Sequence, residues 1–68
     1  MTRKRSLTIA GHATSISLEP VFWDALHDAA KAEGKSLAAL VAEIDEARTT
    51  NLSSAIRVWL FERARAGR

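Results

Sequence analysis

The chain has 68 residues, 47% of them hydrophobic, no cysteine and a formal net charge of +2. That length leaves room for one domain, the absence of cysteine excludes a disulfide framework, and His12 and His27 have no second strong ligand at a metal-binding spacing. So small a core rarely supplies more than about 3–5 kcal/mol without a staple or a partner chain, so the composition predicts association with a second copy. Charge is unevenly placed. Arg3, Lys4 and Arg5 open the chain, seven of the eight acids fall within residues 13–48, and Arg57, Arg63, Arg65 and Arg68 close it. Basic ends suit nucleic acid and solvated termini alike. Met1 to Arg5 is followed by no apolar signal-peptide segment, and no run reaches the length of a membrane span, so the expected location is the cytoplasm.

Leu7 and Ile9 alternate with Ser6, Thr8 and Ala10, so residues 1–12 read either as a basic N-terminal arm or as an extra strand. Gly11-His12 resembles a type II′ turn. Such a turn would pair Ala10 with Ala13, Leu7 with Ile16 and Ile9 with Thr14. From Ala13 to Glu19, Thr14, Ile16 and Leu18 face one way and Ala13, Ser15 and Ser17 the other, the pattern of a half-buried strand. Glu19-Pro20 ends it, because a residue before proline stays extended and proline favours the first helical position.

A first helix is predicted from about Pro20 to Glu33, with Phe22, Leu26, Ala29 and Ala30 at helical spacing and Trp23 widening the stripe. Gly34 supplies the stop. Ser36 caps a second helix whose apolar face is Leu37, Leu40, Val41, Ile44 and Ala47. The second helix ends around Arg48-Thr49 and runs into Thr50-Asn51, a polar link with another N-cap, after which a third helix from about Leu52 to Ala66 buries Leu52, Ala55, Ile56, Trp59 and Leu60. No Gly-rich phosphate loop, nucleophile elbow, paired-carboxylate site or metal signature appears, so no enzyme and no cofactor is expected. His12 reads as a turn residue and His27 as part of a solvated helix face.

Strand, helix, glycine turn, helix over Ala13 to Arg48 resembles the MetJ/Arc-type ribbon-helix-helix superfamily. The carriers are Thr14-Ser15-Ile16-Ser17-Leu18-Glu19-Pro20, the Phe22/Leu26 face and Glu33-Gly34-Lys35-Ser36-Leu37. More narrowly, Arg5-Ser6, Gly11 to Pro20 and Asn51-Leu52-Ser53-Ser54-Ala55 look like short bacterial members. The resemblance implies a mostly helical, intertwined homodimer with one strand per subunit, the two strands forming an antiparallel ribbon that enters the major groove of DNA. On that basis residues 13–48 are the core, residues 49–68 an added C-terminal helix, and the protein a DNA-binding transcriptional regulator. It also implies Ala13, Ser15 and Ser17 toward the bases and Thr14, Ile16, Leu18, Phe22, Leu26, Leu40, Val41 and Ile44 in the dimer core. The Lys35-Ser36-Leu37 helix start would hold a phosphate, with Arg3, Lys4 and Arg5 on the DNA backbone. Ala13 departs from the long polar residue expected at the first outward position, which predicts weak base discrimination. The second reading is a dimeric protein-interaction module or an antitoxin, with the C-terminal helix on a partner protein.

Overall fold

At its N-terminus the chain folds back on itself as a hairpin of β1 (Arg3–Ile9) and β2 (His12–Leu18). The structure, a computed structural model, describes residues 1–67; Arg68, counted above in the basic C-terminus, lies outside them. Of the two readings open for residues 1–12, the chain takes the strand. The ribbon therefore has two strands, as the resemblance implied, but both belong to one chain. The cause is local. Ala10 (φ 51°) and Gly11 (φ 83°) both lie in the left-handed region, the signature of a type I′ turn, whose twist matches the flanking strands.

The turn is thus Ala10-Gly11 and not Gly11-His12. His12 is the first residue of β2, paired with Ile9. Leu7 pairs with Thr14, Arg5 with Ile16 and Arg3 with Leu18, two residues away from the expected register. A slip of two preserves the faces. Leu7, Ile9, Thr14, Ile16 and Leu18 still share one side, where Ile9, Ile16 and Leu18 are buried and Leu7 and Thr14 half-buried.

Three helices cover that side. In α1 (Pro20–Ala32), Pro20 starts the helix and the Glu19 carbonyl accepts from the amides of Phe22 (2.9 Å) and Trp23 (3.1 Å). Gly34 (φ 67°) ends it in a Schellman turn: Lys35 N–H donates to the Ala30 carbonyl at 3.0 Å and Gly34 N–H to that of Lys31 at 3.1 Å. In α2 (Leu37–Ala47), Ser36 Oγ accepts from the Ala39 amide at 3.1 Å, and in α3 (Leu52–Ala66) Asn51 Oδ1 accepts from Ser54 at 2.9 Å.

Ile16, Leu18, Leu26, Leu40, Val41 and Ile56 are fully buried in one chain, each worth about 1.5–3 kcal/mol relative to exposure. Trp23, Ala29, Ala30, Ile44 and Leu60 complete the centre. The surface expected from a second copy is supplied in part from within: β1 brings Leu7 and Ile9, and α3 brings Leu52, Ile56 and Leu60. Among the residues assigned to a dimer core, Ile16, Leu18, Leu26, Leu40, Val41 and Ile44 lie in this intrachain core. Thr14 and Phe22 lie half-buried at its margin.

Candidate nucleic-acid interface

The side of the hairpin away from the helices carries Lys4, Ser6 and Thr8 from β1 and Ala13, Ser15 and Ser17 from β2. They are paired across as Lys4–Ser17, Ser6–Ser15 and Thr8–Ala13. All are exposed except Ser17, which is half-buried. The three β2 residues are those that the resemblance implied toward the bases; Ser6 and Thr8 share their face because β1 pairs beside β2. Their alternation with Leu7 and Ile9 was the signal for that. The side chains are short, so the backbone itself can approach whatever lies on this face. Residues 1–18 contain no acid, so the formal charges of the hairpin, Arg3, Lys4 and Arg5, are all positive.

The three N-terminal cations do not act as one group. Lys4 is on the open face. Arg3 and Arg5 alternate to the other, where the Trp23 indole N–H donates to the Arg3 carbonyl at 2.8 Å and the Arg5 guanidinium lies 5.5 Å from the Trp23 ring centroid. Strand geometry and one buried tryptophan thus hold the segment that was otherwise readable as an arm.

The α2 start is less open than the resemblance implied. Lys35 Nζ lies 3.2 Å from Glu33 and 2.5 Å from Glu43. The hydrogen bond to Glu43, then that to Glu33, raises the lysine pKa against partial desolvation. Ser36 Oγ is used by the cap, and Leu37 packs half-buried against the core. Two carboxylates beside this helix end oppose an incoming phosphate.

A further carboxylate ties the ribbon to α3. Arg57 donates to both oxygens of Glu19, at 2.8 and 3.3 Å, and spreads over the Phe22 ring at 5.9 Å. The bond to Arg57 is the main cause of the lowered Glu19 pKa. Arg63 similarly joins α3 to Glu33 at 2.8 Å. Ile44, Ala47, Val58 and Trp59, with Glu43, Arg48 and Glu62, line a shallow groove between α2 and α3, and Phe61 of α3 is exposed. Among the described residues no group of three or more metal-ligating side chains occurs, and no helix is long and apolar enough to cross a membrane.

Residues 2–64 match the family model described as a ribbon-helix-helix domain. The chain belongs to the ribbon-helix-helix family. No curated protein and no solved structure matches it. Ribbon-helix-helix domains are typically DNA-binding and regulatory, are not enzymes, and generally act as homodimers. The match includes β1 and most of α3, so it reaches beyond the strand and two helices that first suggested the family.

Proposed function

We propose that this ribbon-helix-helix protein is a cytoplasmic, bacterial DNA-binding transcriptional regulator that presents the polar face of its ribbon to the major groove as part of a homodimer. The observation that carries this reading is an acid-free, exposed face of Lys4, Ser6, Thr8, Ala13, Ser15 and Ser17 on a two-stranded ribbon, since such a ribbon matches the groove in width. These residues offer the bases the hydroxyls of Ser6, Thr8, Ser15 and Ser17, the methyl groups of Thr8 and Ala13 and the single ammonium of Lys4. Few of them can make the bidentate contacts that discriminate bases strongly, so backbone electrostatics dominate affinity. Arg3 and Arg5 lie on the other face of the hairpin, against Trp23, and add to its positive charge without facing the bases. The Lys35-Ser36-Leu37 helix start contributes less, because Glu33 and Glu43 already engage Lys35.

The test is fluorescence anisotropy with duplexes of several sequences over a range of salt. The expected result is binding whose logarithm falls linearly with log salt and varies little between sequences. Absence of binding at low salt defeats the proposal. It would leave the protein-interaction or antitoxin reading, for which the α2–α3 groove, lined by Ile44, Val58 and Trp59 together with Glu43, Arg48 and Glu62, is the pertinent surface.

A further inference from the structure

We infer that the α2–α3 groove receives the Phe61 ring of a second copy of this chain, reciprocally, and that this contact joins one homodimer to another. The contact is independent of DNA binding.

Its basis is an apolar stripe that the chain leaves uncovered. In α3, Ile56 and Leu60 are buried in the core, whereas Val58 is 53% and Phe61 62% exposed. Val58 lies two residues from both Ile56 and Leu60, so on a helix it points nearly opposite to them, and Phe61 follows about one turn later on the same outer face. Val58 also belongs to the wall of the groove, with Trp59 of α3 and with Ile44 and Ala47 of α2. A protruding ring and an apolar groove are therefore neighbours on one helix. A two-fold contact needs that adjacency, because each copy then offers a ring and receives one. Within its own chain the ring stays in water; in the groove of another copy it gains the burial it lacks.

The charges around the groove select this occupant. Glu43 is engaged by Lys35, Arg48 by Asp45, and Arg63, which lies over Trp59, by Glu33. Glu62, in the groove lining, has no ion-pair partner among the described residues, and neither has Arg65. The Arg65 guanidinium instead lies 5.7 Å from the centroid of the Phe61 ring, so it travels with that ring. A copy that seats Phe61 in the groove brings Arg65 to a rim carrying Glu62, and the two-fold repeats the pair. The unpaired acid and the unpaired base of one chain thus answer each other between copies.

Size decides which contact this is. The groove, the ring and the arginine form a patch of about a dozen residues, against roughly 20–30 on each side of a stable interface. So small a patch suits a weak contact between homodimers and leaves the permanent contact to another surface. The outer stripe of α3 points away from the core, and the polar face of the hairpin lies on the side of the sheet away from the helices. Both ribbons therefore remain open when two homodimers meet.

Sedimentation of the full chain over a concentration series up to about 1 mM, the scale of a weak contact, tests this without DNA. The wild type should pass from homodimer to pairs of homodimers as concentration rises. Phe61→Glu should weaken that step by about tenfold or more, since it removes the ring and sets a carboxylate against Glu62, and should leave the homodimer intact. Circular dichroism of the variant should match the wild type, because Phe61 is exposed. Glu62→Arg and Arg65→Glu should each weaken the step, and the two together should restore it to within about threefold of wild type, the coupling expected of a direct pair. A wild type that stays a homodimer throughout, or that matches Phe61→Glu at every concentration, would overturn the inference and leave the groove to a different protein. Loss of the homodimer itself in Phe61→Glu would overturn it too, by making this the permanent contact. Failure of the double exchange to recover association would remove Glu62 and Arg65 as the pair that selects a second copy.

Discussion

The indole N–H of Trp23 donates to the carbonyl of Arg3 at 2.8 Å, linking the first turn of α1 to the start of β1 twenty residues earlier. Trp23 is 2% exposed, so the bond joins a core residue to the strand end that would otherwise fray most easily. Trp23→Phe keeps most of the ring and removes the donor. The expected cost is about 1 kcal/mol, the usual net worth of one hydrogen bond. Exchange should quicken chiefly at Arg5 and Leu7, while Ile16 keeps its protection. Uniform loss of protection along both strands would mean that Trp23 acts only through core packing.

Ala10 has φ 51°, a conformation that costs a β-carbon-bearing residue about 1 kcal/mol. Asparagine tolerates it, and Asn-Gly is the preferred type I′ pair. Ala10→Asn should therefore raise stability by about 1 kcal/mol, seen as a rise of roughly 4–8 °C in the melting midpoint. An unchanged or lowered midpoint would show that the turn is not what fixes the hairpin.

Glu19 and Arg57 join the end of β2 to α3, and the arginine holds the carboxyl below the ordinary glutamate range. A carboxyl with a lowered folded-state pKa contributes its full stability above the unfolded-state value. That contribution fades as pH falls through the ordinary glutamate range toward the lowered value. Amide exchange in the first turns of α3 should accelerate across this acidic window in the wild type. In Glu19→Gln it should be faster at neutral pH and much less dependent on acid. Equal pH profiles for the two proteins would remove Glu19 as the cause.

The helices were legible because their signals are local: Glu19-Pro20, Gly34, Ser36 and Asn51 each act on adjacent backbone, and all four occupy the expected positions. The faces of both strands were legible too, since period-two alternation survives the shift of two residues in register. The turn was not. Glycine as the first turn residue suggested Gly11-His12, whereas the chain turns one residue earlier, at Ala10-Gly11, with Ala10 left-handed despite its β-carbon. The division of Arg3, Lys4 and Arg5 between two faces was equally hidden, since it depends on β1 being a strand and on Trp23 lying beneath it. So was the capture of Lys35 by Glu43, which α2 positions eight residues further along the chain.

That division of charges leads to a prediction about DNA. Lys4 lies on the open face with no ion-pair partner among the described residues, whereas Lys35 is held by Glu33 and Glu43. A cation that neutralises a phosphate steepens the dependence of log affinity on log salt by about 0.9. One already neutralised by neighbouring carboxylates does not. Lys4→Gln should thus flatten the slope by about 0.9 for each phosphate it had neutralised and lower affinity on all duplexes alike. Lys35→Gln should leave the slope unaltered, and any loss of affinity should come from the two carboxylates it uncovers. The opposite ranking of the two variants would return phosphate binding to the α2 start and remove Lys4 from the interface.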